Sequence, residues 1–435
     1  MGMIDEILSW QNISMAIAAV KQNRGAAGVD EMTVDELEGY MKENYTRIVQ
    51  QIKTGRYTPQ PVRRVYIPKA NGKQRPLGIP TVVDRAIQQA VAQKLVEVYE
   101  PVFSEYSYGF RPNRSCHTAM FKALEYLNDG YEWIVDLDIE KYFDTVNHDK
   151  LISILREQMN DSTTLHLIRS FLKAGVMEDG LTSPTEEGVP QGGPLSPVLS
   201  NIYLDKFDKE LESRGLHFAR YADDCNIFAK SEVAANRVMK SVTSWLERKL
   251  FLKVNATKTK VTRPGEGAFL GFGYWNDRGT WKCRPLPDRF QRLYDKCGAV
   301  LLRKRAVARP LAETFIKLNQ IIRGWINYYR IGSMKGAMDE FGQWLRHKVR
   351  VVMMKQWKTP KTIYKKLVIM RKWNKSNLSD EELYKAANAR LGWYRRCRYY
   401  VVNYLLCPKA LETQNEKEGR PGLVNPLEYY LAALQ

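Results

Sequence analysis

The chain has 435 residues, 44% of them hydrophobic and 26% charged, with a formal net charge of +19. That length allows two or three domains with ample core, and the composition is ordinary for a soluble globular protein. No apolar run approaches the roughly 18 residues of a membrane span, and the acidic start Met1–Glu6 lacks the basic and apolar regions of a secretory signal. A cytoplasmic location with no membrane partner is therefore expected. The six cysteines (116, 225, 283, 297, 397 and 407) form no CxxC pair, so reduced and mostly buried thiols are expected rather than a zinc module.

Apolar positions recur at helical spacing through Trp10–Val20 and Leu37–Ile52, on either side of the glycine-punctuated loop 23–30. Val62–Lys69 reads as a strand, Ala70-Asn71-Gly72-Lys73 as a hairpin turn, and Gln74–Ile79 as the returning strand. A helix follows with Asp84 as its expected N-cap and Ile87, Val91, Leu95 and Val98 on its buried face. Helices fit 115–129, 149–159 and 162–174. Beyond the Gly/Pro loop 188–197, Leu199–Arg214 carries Leu204, Phe207 and Leu211 on one face, with Gly215 past its end. Another helix fits 232–250, and 267–275 reads as a short apolar strand.

From there on the chain reads as helical and basic, over 288–305, 311–331 and 338–358. Residues 1–274 hold 34 Lys and Arg against 35 Asp and Glu, whereas residues 275–435 hold 33 against 13. Seven of the ten tryptophans fall in that second part. Clustered cations with aromatic rings suit a long polyanion, the cations on phosphates and the rings available for stacking, although most of the tryptophans individually read as core.

Two segments carry the chemistry. Tyr221-Ala222-Asp223-Asp224 lies between the apolar alternations 216–220 and 225–229, which makes a β-hairpin with two carboxylates at its tip. Adjacent anions at a turn repel unless a cation lies between them and a partner anion. The candidate partner ends the apolar strand that begins at Trp133, in Asp136-Leu137-Asp138-Ile139-Glu140. Two strand-borne acids that converge suit a two-metal phosphoryl-transfer site. Asp-Asp alone also fits a solvated turn.

Read together, Ser107-Tyr108-Gly109-Phe110-Arg111-Pro112, Asp138-Ile139-Glu140-Lys141-Tyr142-Phe143-Asp144, Pro190-Gln191-Gly192 and Tyr221-Ala222-Asp223-Asp224 resemble the group II intron-encoded reverse transcriptase/maturases. Gly324-Trp325-Ile326-Asn327-Tyr328-Tyr329 matches that family's maturase region, and the likeness weakens after about residue 360. The resemblance implies an α+β right-hand polymerase. An N-terminal extension (1–60) precedes fingers and palm with an antiparallel palm sheet (61–275), an α-helical thumb/maturase domain (276–375) and a basic nucleic-acid-binding segment (376–435). It implies RNA-directed DNA synthesis with two Mg2+ ions, an RNA template with a DNA primer, and deoxynucleoside triphosphates. It also implies assistance to the splicing and mobility of a group II intron RNA.

By the same resemblance Asp138 and Asp223 are expected to hold both ions, with the Ile139 carbonyl completing one shell and Asp224 in support. Asp136, on the same face of its strand, is expected to be structural. Lys69 and Arg75 are expected to grip the triphosphate, Gln191 to contact the template-side sugar, and Gly192 to let the backbone approach the incoming base pair. Phe143 is expected to screen the sugar, its other reading being plain core. Arg63, Arg111, Arg289, Arg292, Arg323 and Lys355 are expected at nucleic acid. The histidines (117, 148, 166, 217 and 347) are scattered, so the family's His-Asn-His endonuclease is not expected and the chain looks like a group IIC-like member. A reverse transcriptase of another kind (retron, diversity-generating or phage-defence) and a splicing-only maturase are the rival readings. The oligomeric state, monomer or homodimer, is left open.

Overall fold

A computed structural model describes residues 2–68, 72, 74–178, 180–183, 186–190, 192–413 and 422–434. It divides into two compact units, Met1–Leu270 and Gly271–Gln435. Lys69 and Gln191 lie outside the described residues.

The first unit is α+β. Its main sheet has four antiparallel strands in the order His217–Tyr221, Asp224–Ala229, Trp133–Asp138, Lys260–Thr262. Residues 225–229 are all buried, as expected of a central strand covered on both faces. Val135, Leu137, Cys225, Ile227 and Ala229 face the principal core, shared with the helices Leu195–Ser213 and Glu232–Lys249. The alternation of the strands sends Asp136, Asp138, Asp224 and Asn226 to the opposite face. One face therefore carries the packing and the other the charge.

A second sheet runs Gln74–Ile79, Val62–Pro68, Val176–Glu178, Leu181–Ser183. Its first pair is the expected hairpin. The parallel pairing of Val62 with Val176 is a long-range contact that local periodicity does not report.

Several local expectations are corrected. The helix Val82–Tyr99 is capped by Thr81, whose hydroxyl accepts from the Asp84 backbone N–H, and Asp84 is not the cap. The Asp84 carboxylate instead accepts from Tyr57, Gln60 and Thr81. Ile87, Val91 and Leu95 are buried, but Val98 is exposed. The Leu195–Ser213 helix starts four residues before Leu199 and takes Pro197 into its first turn, where no backbone donor is needed. The apolar run 267–275 is broken by positive φ at Leu270 (53°) and Gly271 (82°).

The second unit opens with the hairpin Phe272–Asp277 and Thr280–Pro285, turned at Arg278 and Gly279 with positive φ at both. The rest is helical. The expected helix 288–305 is two, Pro287–Val300 and Arg303–Ala306. Leu311–Tyr329 and Lys335–Trp357 follow with amphipathic faces, and six further helices, from Pro360–Trp373 to Pro426–Ala432, come after them among the described residues. All six cysteines are free, four of them buried. Among the described residues no helix is long and apolar enough to cross a membrane.

Candidate active site

The register of the main sheet sets Asp138 directly opposite Asp224, and Asp136 opposite Asn226. Residues opposite one another in an antiparallel pair share a face about 5 Å apart. The hairpin turn then brings Asp223 beside them. It has only two residues, and Ala222 takes a φ of 56°, a conformation that costs a non-glycine residue strain.

Arg220 holds that turn in place. Its side chain is 1% exposed and grips the fully buried Asp208 through Nε–Oδ1 (2.6 Å) and Nη2–Oδ2 (2.5 Å). Nη1 donates to the Ala222 carbonyl at 2.8 Å, and Nη2 also donates to the Ser107 hydroxyl at 2.8 Å. Segment 106–108 hydrogen-bonds the Arg220 backbone. Next to it, a Cβ on Gly109 would sit 2.4 Å from the Ala222 nitrogen, so only glycine fits there. The Asn201 amide secures the Gly109 carbonyl at 2.7 Å.

The carboxylates crowd one another. Burial pushes Asp224 up to about 7, and the charges of Asp136, Asp223 and Asp138 add to the rise. Burial also raises Asp223; Asp138 adds to this, while its own backbone N–H and Arg75 oppose it. Arg75, on the Gln74–Ile79 strand, is thus near enough to act on Asp223. Burial raises Asp136 as well, with Lys260 opposing.

Asp138 meets Lys258, whose Nζ lies 2.8 Å from Oδ2. Among the described residues no three His, Cys, Asp or Glu side chains form a ready-made metal centre. The donors are nonetheless all carboxylate oxygens, the set that hard divalent cations take, and their mutual repulsion calls for positive charge. Beside them, the Asp138 carbonyl accepts from Asn255 and the Glu140 N–H donates to Lys253, a pattern that leaves out the Ile139 carbonyl between them.

Phe143 is half-buried against Tyr142, ring centroids 5.2 Å apart, and its carbonyl accepts from the Val189 N–H at 2.6 Å. With Val189, Pro190, Arg64 and Gly78 it lines a cleft of about 540 Å3 between the second sheet and the segments 143–144 and 186–190. Gly192 has a φ of 129°, and a Cβ there would lie 2.2 Å from the Gly78 carbonyl oxygen. Its glycine is therefore already required by protein packing.

The six expected nucleic-acid cations fare differently. Arg111 is 8% exposed and spends its guanidinium on Glu100 and on the Ser104 and Ser107 carbonyls, so it supports the loop under the hairpin and is not a surface contact. Arg63 is exposed and donates to the Ala27 carbonyl. In the second unit Arg289 and Arg292 share Asp288, the exposed Arg323 lies over Tyr429, and Lys355 is half-buried. Two of the six thus lie in the first unit and four in the second.

Sequence reasoning passed over Arg220, Asp208 and Lys258. An arginine within the apolar run Phe218-Ala219-Arg220 was the available signal for the first. Lys258 gave none, because it meets Asp138 from 120 residues away.

Residues 67–274 match the family model "Reverse transcriptase (RNA-dependent DNA polymerase)", and residues 290–380 match "Group II intron, maturase-specific domain". Group II intron-encoded protein LtrA of Lactococcus lactis subsp. cremoris is 45% identical over 414 residues, covering 73% of this chain and 68% of that protein. The chain belongs to the group II intron-encoded reverse transcriptase/maturase family. Protein YkfC of Escherichia coli (strain K12) is 33% identical over 60% of this chain and 79% of its own length. The partial Cas6-RT-Cas1–Cas2 complex aligns with 57% of this chain and 43% of its own at 25% identity, with a TM-score of 0.37, too loose a likeness to bear on domain layout. This reverse transcriptase is thus a divalent-metal-dependent RNA-directed DNA polymerase that also acts as a splicing maturase and binds intron RNA.

Proposed function

We propose that the face bearing Asp138, Asp223 and Asp224 is the polymerase centre, and that Asp138 and Asp223 hold two Mg2+ ions there with the Ile139 carbonyl. The observation that carries this is the sheet register, which puts Asp138 opposite Asp224 with Asp223 in the adjoining turn. When bound, the ions stabilise the charge that develops on the phosphoryl oxygens of the incoming deoxynucleotide.

The chain's own residues do the positioning. Arg220 fixes the turn that carries Asp223, and Asp224 supports the site from the strand. Arg75, acting on Asp223 from the neighbouring sheet, is suited to the triphosphate, a role we extend to Lys69. Phe143 lines the cleft where the sugar of the nucleotide would lie, and we extend the reading to Gln191 at the template-side sugar and to Gly192 beside the incoming base pair. The layout is that of a right hand: extension 1–60, fingers and palm 61–275, thumb 276–375 and a basic segment 376–435. A cytoplasmic protein working on an RNA template with a DNA primer fits this reading.

Asp223→Ala tests it. DNA synthesis on a primed RNA template should be lost while thermal stability and RNA binding persist, because removing a charge from a crowded turn relieves repulsion. Polymerase activity within roughly tenfold of the parent would overturn the assignment, since even outer-shell partners of a metal are worth 10–100-fold.

A further inference from the structure

The wall of the cleft that faces the second sheet is built from two separate stretches of chain, 143–144 and 186–190. Hydrogen bonds tie these stretches together. The Val189 N–H donates to the Phe143 carbonyl at 2.6 Å, and the Gly188 N–H donates to the Val146 carbonyl at 2.8 Å. The third bond is made by a side chain: the His148 ring nitrogen Nε2 meets the Gly188 carbonyl at 2.6 Å. The fit is close, since a Cβ on Gly188, where φ is 90°, would lie 2.7 Å from the Phe143 carbonyl oxygen.

His148 is 5% exposed and opens the helix His148–Arg156, just beyond Phe143 on the same stretch. A carbonyl can only accept, so Nε2 carries the proton and Nδ1 of the neutral ring is an acceptor. That Nδ1 is buried and, among the described residues, has no partner. Burial keeps the imidazole below its usual range, helped by the charges of Arg169 and Lys173 and opposed by the Gly188 bond and Asp149, which agrees with a neutral ring. An unpaired buried nitrogen costs stability that an apolar side chain of similar size would not. Packing alone therefore gives no reason for a histidine here, and what the ring adds is the Gly188 bond. Ser196 makes a different contact. Its hydroxyl donates to the Pro190 carbonyl at 2.6 Å within its own stretch, so it fixes a local bend and not the distance to Phe143.

We propose that His148 is a positioning residue for the incoming deoxynucleotide: through the Gly188 carbonyl it holds segment 188–190 against the stretch that carries Phe143, and so sets the shape of the cleft at the sugar. This rests on the reading of that cleft as the nucleotide pocket. His148 does not itself line the cleft. Its loss should therefore weaken nucleotide binding and sugar choice rather than the chemical step.

Single-nucleotide extension by the full chain on a primed RNA template, with each sugar, separates KM from kcat. His148→Leu fills the space without a donor, whereas His148→Gln keeps an amide N–H within reach of Gly188. His148→Leu should raise the deoxynucleotide KM about five- to tenfold with kcat within about twofold, as for one lost hydrogen bond that acts on binding, and should admit ribonucleotides several-fold more readily. His148→Gln should restore most of both. A ring that only fills the core predicts lower stability and fewer active molecules, with KM and sugar discrimination unmoved, and that result would overturn the proposal. So would a His148→Gln protein no better than His148→Leu. If His148→Leu does not fold, His148→Met, adaptable in shape and also without a donor, is read in its place. Phe143→Val is measured alongside. If it alters sugar choice while His148→Leu alters neither KM nor sugar choice, the His148 assignment falls and the cleft reading stands; if neither variant alters them, both fall.

Discussion

Lys258 and Asp138 form an ion pair with Nζ 2.8 Å from Oδ2. The lysine comes from the polar stretch before the edge strand Lys260–Thr262, and it adds to the positive charge that Lys260 and Arg75 bring to the carboxylates. A divalent ion at Asp138 must therefore compete with this ammonium group.

Removing the competitor should strengthen metal binding. Lys258→Ala is expected to bind Mn2+ several-fold more tightly than the parent in the absence of nucleotide, measured by electron paramagnetic resonance titration of free Mn2+. The pair is mostly exposed and contributes less than about 1 kcal/mol to stability, so the variant should fold normally. An unchanged Mn2+ affinity would show that Lys258 does not guard the site.

Arg220 and Asp208 behave differently because both are buried. Arg220→Met strands an uncompensated carboxylate in the core, which should cost about 3–5 kcal/mol and release the Asp223 turn. Chemical denaturation should show the loss, with polymerase activity falling alongside it. The double variant Asp208→Leu/Arg220→Met should recover much of the stability but not the activity, because the Ala222 carbonyl and Ser107 lose their donor in either case. A double variant with full activity would show that Arg220 is not needed to hold the turn.

Asp224 makes the metal-free protein sensitive to pH. Its folded value of about 7 lies above the ordinary 3.8, so between these pH values the folded state binds more protons than the unfolded one. Stability from this group is therefore full below pH 4 and falls as pH rises to 7, by about 4 kcal/mol. Asp224→Asn should flatten that fall, melting above the parent at pH 7.5 in chelator and alongside it near pH 4. Added Mg2+ should narrow the gap at pH 7.5. Parallel melting curves across the pH range would refute the crowding account.

Phe143 offers a test of nucleotide choice. It is half-buried and faces the 540 Å3 cleft, so trimming the ring enlarges the cleft while leaving Tyr142 in the core. Phe143→Val is expected to incorporate ribonucleotides more readily while retaining much of its deoxynucleotide activity, at a stability cost of roughly 1–3 kcal/mol. Single-nucleotide extension with each sugar decides it: a folded variant with unchanged discrimination would make Phe143 a packing residue only.

The local parts of this protein were legible along the chain. The alternation around Tyr221–Asp224 and the apolar run ending at Asp138 are both short-range patterns, and each became the expected strand. The heavy excess of cations after residue 275 was likewise a matter of composition. Tertiary structure decided which charges are available. Arg111 reads as a surface cation and Arg220 as one polar residue in an apolar alternation, yet each is buried against a carboxylate brought from another element. Gly192 was legible as a glycine that something approaches closely, but only the fold identifies Gly78 as what approaches it. Lys258 reaches Asp138 because the strand Lys260–Thr262 pairs with Trp133–Asp138, and such pairing is set by the packing of the whole sheet rather than by any period along the chain.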